Sequence, residues 1–266
     1  MALNRAQIVI IENVLRSSLR HKFQTYNPEP AFMPFHTRLL GQDRMALFSF
    51  IHSLNTNFGT TIFEPVAQAL AIERFRSAEL QQVAGSHISS EAQRVIQNIM
   101  DGLITATAFP DKIREIEAIR SVCQSGEMRR VKPTKVDIKV VAYDGSIILF
   151  DIKTAKPNSG AFKEFKRTLL EWVAVTLATN PSAIIQTLIA IPYNPYEPKP
   201  YSRWTMRGML DLDLGHELKV ADEFWDFLGG EGAYLQLLDI FERVGVELRP
   251  EIDDYFARYG HSSSLS

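Results

Sequence analysis

A single cysteine, Cys123, occurs in the 266 residues, which excludes an internal disulfide and a zinc cluster built from several thiolates. Long apolar runs are missing as well, and none approaches the roughly 18 residues of a membrane-spanning helix. Near the N-terminus only Ile8 to Ile11 is continuously apolar, and Glu12 and Asn13 end it. That is too short for a signal peptide, so the chain is expected to stay in the cytoplasm. There is no GxxxxGK[ST] phosphate loop, which argues against nucleotide hydrolysis. The six histidines are scattered, and none sits in a nucleophile motif. Neither an internal repeat nor a low-complexity block nor a clear linker interrupts the sequence. The economical expectation is one domain over about 1–260, with a polar, disordered tail at 261–266.

What is present is an ordinary globular composition, 45% hydrophobic and 23% charged, with its charge unevenly spread. The overall charge is only −2, yet Glu127 to Arg167 holds ten Lys/Arg against five Asp/Glu. Asp211 to Arg258 reverses this, with four Lys/Arg against thirteen Asp/Glu. A basic middle suits a polyanion, and an acidic C-terminal part limits indiscriminate binding. Solvated faces of both signs would give the same counts.

Periodicity predicts a mostly helical N-terminal part, about 1–125. Ile8, Ile11, Leu15 and Leu19 mark a helix over Asn4–Phe23, and Asn27-Pro28-Glu29-Pro30 begins a loop through Pro34 and Gly41. Asp43 reads as the N-cap of a helix ending before Gly59. A further helix runs to about Phe75, with Pro65 in its first turn and Glu64 near its start. Ser90-Glu91 opens a helix to about Leu103, and Asp111 opens one to about Cys123. A core at about 130–195 then reads as strands Lys135–Tyr143 and Ser146–Thr154, a helix Ser159–Thr179 and a strand Ile184–Pro192. The C-terminal part, about 200–260, shows helices at Glu223–Leu228 and Gly232–Arg243, with Gly229-Gly230 between them; Arg203–Leu210 is ambiguous. Together these predict an α/β fold, a mixed central sheet flanked by helices. Ile147 to Phe150 are consecutively apolar, as in a strand covered on both faces.

An Asp and a Lys at the end of such a strand are conspicuous. Asp151 and Lys153 are two apart and point to one face. Whether Asp137 joins them is a matter of loop parity. A two-residue turn at Asp144-Gly145 would set Asp137 opposite Ile152, on the wrong side. A three-residue loop, Tyr143-Asp144-Gly145, with Gly145 left-handed in a G1 bulge, would set it opposite Asp151. Two carboxylates, water and a phosphate oxygen suit Mg²⁺. The ion would polarise a phosphoryl group, and a nearby lysine would steady or deprotonate the attacking water. Polar strand ends with a solvated lysine are the plain alternative.

This stretch resembles the PD-(D/E)xK nuclease core, and the chain as a whole resembles type II restriction endonucleases of the TdeIII-like family. The supporting segments are GTTIFEPVAQALA from Gly59, FDIKTAKPNSG from Phe150 with FKRTLLEW from Phe165, IPYNPYEPKPYSRW from Ile191 and ELKVADEFWDFLGG from Glu217. The resemblance implies a restriction-endonuclease-like core and Mg²⁺-dependent cleavage of double-stranded DNA. It also implies a homodimer, a short palindrome such as GGNCC, and a cognate methyltransferase as system partner. Asp137 and Asp151 take the two metal-binding acid positions and Lys153 the lysine, with Val136 where proline is usual and Asp151 where glutamate is commoner. Glu64 resembles the glutamate such enzymes supply from a preceding helix, with Glu73 as the fallback; a helix-start acid favoured by the macrodipole is the plainer account of Glu64. Glu217-Leu218-Lys219, with Asp211 and Asp213 upstream, is a competing acid-x-lysine. For DNA contacts, Lys156 and Asn158 follow the second strand closely. Tyr193, Asn194, Lys199, Arg203 and Arg207 lie on or just after a Tyr/Pro loop that either enters a groove, with Arg reading guanine and Asn adenine, or packs on its own domain. A structure-directed repair nuclease and a non-catalytic DNA-binding protein are the alternative functions.

Overall fold

The computed structural model describes residues 3–26, 33–132, 134–158, 160–203 and 205–261. Helix α1 (Arg5–Thr25) begins where Asn4 and Gln7 each accept the other's backbone N–H, a reciprocal cap that fills donors the first turn leaves open. It buries Ile11 and Leu15. Helices α2 (Pro34–Leu40) and α3 (Gln42–Phe58) follow. Residues 34–40, expected as loop, are therefore helical, because the fixed φ of Pro34 suits a first turn. Gly41, at φ 89°, occupies the N-cap of α3 in place of Asp43, whose side chain lies outside the described residues.

Gly59 does not stop the chain's helical course. Gly59–Phe63 forms one π-turn that leads directly into α4 (Glu64–Ala71). Pro65 supplies the reason: it has no N–H for the Thr61 carbonyl four residues back, and its ring crowds that turn. The helix widens, so that the Glu64 N–H donates five residues back to Gly59. The Ser18 hydroxyl of α1 donates to the Thr61 carbonyl at 2.9 Å.

Strands β1 (Ser77–Val83) and β2 (His87–Ser89) come next. The sequence reading missed both, since SAELQQV holds helix formers and no β-branched residue before Val83; pairing decides its state. Helix α5 (Ser90–Ile104) is capped by Ser89, and α6 (Lys112–Arg120) by Asp111 as expected. Strand β3 (Met128–Arg130) forms a small ribbon with β2. The core then runs β4 (Lys135–Val141), β5 (Ile147–Ile152), α7 (Ala161–Thr179), β6 (Ile185–Ile191) and a short β7 (Leu218–Val220). Helix α8 (Asp222–Gly229) ends at Gly230, which has φ 95°. Helix α9 (Ala233–His261) runs far beyond the expected Arg243, through Pro250, and takes in His261. The rest of the expected tail lies outside the described residues.

The main sheet has the order β1-β4-β5-β6-β7. Strands β1, β4 and β5 pair antiparallel, whereas β5–β6 and β6–β7 are parallel. This is the mixed sheet flanked by helices that the pattern predicted. Leu149 of β5 joins a core with α5, α6 and α7, while Ile148, Phe150 and Ile152 join another with α1, α4, α8 and α9. Phe150 is fully buried, its ring edge-on to Phe224 at 5.4 Å and Phe227 at 5.8 Å. Such burial contributes about 1.5–3 kcal/mol. It anchors β5 one residue before Asp151.

Candidate active site

The hairpin between β4 and β5 has the three-residue loop. Val141 pairs with Ile147 and Ile138 with Phe150, the Ala142 N–H donates to the Ser146 carbonyl, and Gly145 sits at φ 87°. Continued by one residue, this register sets Asp137 opposite Asp151. Regular pairing stops there, and the Asp137 side chain takes over: its Oδ2 accepts the Ile152 N–H at 2.8 Å. Strand β4 thus parts from β5 at the acid, and the parting opens the sheet end.

Asp151 is 7% exposed. Burial pushes its carboxyl up to about 6; the Lys153 ammonium, 2.6 Å from Oδ1, pulls it down, and the Asp137 carboxylate beside it adds to the rise. Lys153 is half-buried and also lies 5.1 Å from the Phe165 ring centroid of α7, so its head is held from two sides. Two facing carboxylates next to a single cation form a site that favours added positive charge.

Glu64 enters from α4. It is buried, and burial raises its carboxyl, against a lowering hydrogen bond from Gln81 and with a further rise from Asp137 and Asp151. Gln81 Nε2 donates to Glu64 Oε2 at 2.7 Å and to Asp137 Oδ1 at 3.3 Å. Glu73, the fallback, lies exposed in the turn after α4. A cleft of about 650 Å³ opens over the site, lined by Asn55, Gly59 and Thr60 on one wall and by Lys153, Lys156 and Tyr193 on the other, with Glu64 and Asp137 in it. The π-turn forms part of that wall, in keeping with the frequency of such turns at functional sites. The sequence reading assigned no site role to Gln81, Asn55 or Phe165; Gln81 and Asn55 carry no local motif, and Phe165 entered only as the start of the FKRTLLEW segment.

The competing pair is separated by the sheet. Glu217 is fully buried and turns to α6 and α7, where Lys112 Nζ and Lys166 Nζ donate to it at 2.8 and 2.6 Å. Burial alone would raise its carboxyl, but the two ammoniums outweigh this and hold it below the usual range. Lys219 points the other way, 5.0 Å from the Phe227 ring of α8. Asp211 accepts the Lys112 N–H and contacts His216 Nδ1, and its Oδ1 accepts the Asp213 N–H. This network ties β6, β7, α6 and α7 together and leaves no acid and lysine sharing an open face.

The proposed DNA-contacting residues divide. Lys156, Asn158, Tyr193, Lys199 and Arg207 are exposed, and Lys156 and Tyr193 line the cleft. Two others are used internally. Asn194 Oδ1 accepts the Tyr196 N–H and its Nδ2 donates to the Lys199 carbonyl, closing the loop on itself. Arg203 donates to the Tyr196 hydroxyl at 2.8 Å and to the Pro157 carbonyl at 2.7 Å. In the free protein the Asn194 amide and the Arg203 guanidinium thus brace the loop, each through two hydrogen bonds. The Tyr201 hydroxyl, pushed up to about 12 by burial, also ties the loop down by donating to the Ala155 carbonyl.

A mixed sheet whose second and third strands part at facing acids, with a lysine two residues on, defines the restriction-endonuclease-like nuclease class. A sequence model of the type II restriction endonuclease HinfI family matches residues 3–245, and the chain belongs to that family. It is 27% identical over 223 residues to the type II restriction enzyme HgiEI of Herpetosiphon aurantiacus, covering 82% of this chain and 79% of that one. Against the type II restriction enzyme MjaII of Methanocaldococcus jannaschii it is 23% identical over 265 residues, covering 90% and 69%. The protein is accordingly a DNA endonuclease. The resemblance to type II restriction endonucleases stands, and the family the match names is HinfI.

Proposed function

We propose that the protein is a Mg²⁺-dependent type II restriction endonuclease that cleaves duplex DNA at a short palindrome. It would work in the cytoplasm alongside a cognate methyltransferase, without needing to contact it. The observation that carries this reading is the meeting of Asp137, Asp151 and Lys153 at the mouth of a cleft that Glu64 also enters. The donor set fits the metal: Asp137 and Asp151 offer carboxylate oxygens, the ligands a hard cation prefers. Mg²⁺ keeps several waters and needs only one or two carboxylates. Asp137 and Asp151 would hold it, and it would supply Lewis-acid polarisation of the scissile phosphate. Lys153, fixed by Asp151 and Phe165, would hold the attacking water and neutralise charge building on the phosphate. Lys156 would meet a neighbouring phosphate across the cleft.

A homodimer follows from the need to cut both strands of a palindrome with one site per chain. The α2–α3 face supports it. Phe35, Leu39, Leu47, Phe48 and Ile51 are 44–85% exposed there. Since α3 also lines the cleft through Asn55 and Phe58, a second copy seated on this face would bring two clefts to one duplex. Leu39→Glu with Phe48→Glu should convert a dimer to a monomer by sedimentation; an unchanged dimer would place the interface elsewhere.

Incubating the purified protein with phage DNA and Mg²⁺, and with duplexes carrying GGNCC first, tests the reading directly. Discrete fragments are expected. A smear would favour a structure-directed nuclease, and intact DNA with a mobility shift a non-catalytic binder.

A further inference from the structure

Gln81 departs from the ordinary in two ways that meet at the acid pair. It is a non-glycine residue at φ 55°, and among the described residues with such a backbone it is the one inside a strand. The pairs on either side of it, Leu80 with Ile138 and Gln82 with Val136, keep one register. That register sets Gln81 opposite Asp137, and the ladder skips this pair alone. The distortion is thus local and inserts no extra residue. A left-handed conformation is unfavourable for any residue with a Cβ. Glycine or asparagine would relieve it, yet the position holds glutamine.

The strained backbone delivers one amide to two carboxylates. Gln81 Nε2 donates to Glu64 Oε2 and to Asp137 Oδ1. Asp137 is then fixed from both neighbouring strands, by Gln81 of β1 at Oδ1 and by the Ile152 N–H of β5 at Oδ2. An ionised carboxylate offers about four acceptor positions, so each Asp137 oxygen retains one for a cation. Hydrogen bonds that orient a ligating carboxylate are part of what sets a metal site's affinity.

We infer that Gln81 is a positioning residue of the nuclease site, its amide locking the Asp137 carboxylate in the orientation that receives the divalent ion and coupling Glu64 to it. This inference rests on the reading of Asp137 and Asp151 as the metal pair. The amide length is part of the device: asparagine accepts the left-handed backbone but is one methylene shorter, and glycine accepts it with no amide at all.

The test uses full-length protein freed of metal, with Gln81→Asn and Gln81→Gly, variants that the backbone accommodates. Mn²⁺ alone is titrated calorimetrically, and thermal unfolding is recorded in chelator. Both variants should melt at or above the wild-type temperature, yet bind Mn²⁺ about 10–100-fold more weakly, with kcat for DNA cleavage lowered and KM little changed. Wild-type Mn²⁺ affinity in either variant would overturn the inference. So would a melting temperature well below wild type in both, since the amide would then be serving the fold. If Asp151→Asn and wild type take up Mn²⁺ equally, the metal reading of the pair itself fails, and the role of Gln81 fails with it. Asp151-dependent binding that Gln81 does not affect rejects the Gln81 role alone.

Discussion

Replacing Asp151 with asparagine should abolish cleavage and at the same time stabilise the metal-free protein. In the native chain the Asp151 carboxyl titrates near 6 rather than at its ordinary 3.8, chiefly because it is buried. A shift of that size corresponds to about 3 kcal/mol against the ionised form. Between those two values the folded chain binds more protons than the unfolded one, so stability falls as pH rises through this window. The cost is absent below about 4 and fully present above 6. Asparagine has the same size, carries no charge and can donate to Asp137. Lys153 would lose its partner, but its side chain is 32% exposed, so solvent limits that loss to about 0–1 kcal/mol. The balance favours Asp151→Asn by about 2–3 kcal/mol at pH 8, a rise of roughly 4–12 °C in melting temperature for a chain of this size. Thermal unfolding in chelator at pH 8 and near pH 4 checks this: the two proteins should differ at pH 8 and converge near pH 4. A variant less stable than wild type at pH 8, or a difference independent of pH, would refute the reasoning. Retained cleavage would separately remove Asp151 from the site.

Metal uptake should follow the same group. Mn²⁺ affinity is expected to be flat above about pH 6 and to fall about tenfold per pH unit below it, because Asp151 must first lose its proton; calorimetry across pH 5–8 reads this directly. Glu217→Ala should strip the shared partner from the Lys112 and Lys166 ammoniums and cost about 3–5 kcal/mol in urea unfolding. Lost cleavage with unchanged stability would instead revive Glu217-x-Lys219 as the active site. Arg203→Ala should release the Tyr/Pro loop from Tyr196 and the Pro157 carbonyl, with a loss of about 1–3 kcal/mol. Cleavage should slow while the preferred sequence stays the same. A changed preference would mean that Arg203 reads bases.

The local part of the site was legible in the chain because strand geometry has a fixed period. Asp151 and Lys153 share a face by being two apart, and Ile147 to Phe150 marked their strand as central before any pairing was known. The hairpin reduced the place of Asp137 to one question of parity, which Gly145 answers because glycine alone adopts the left-handed bulge position without strain. The helix cap at Asp111 was equally local. What the sequence could not show depends on partners far along the chain. SAELQQV becomes β1 only because β4 offers an edge, and its Gln81 reaches Glu64 and Asp137 only once α4 and β4 flank it. The same holds for Glu217, whose spacing to Lys219 imitates a nuclease motif. Buried ammoniums from α6 and α7 claim the acid, and the sheet puts the lysine on its other side. Arg203 and Asn194 stand out as base readers by residue type, and only packing shows that both also brace the loop. Spacing along one strand thus determined which acid and lysine stand together. Only the tertiary structure decided which other groups face them, because each side chain has few hydrogen-bonding positions and its nearest partners fill them first.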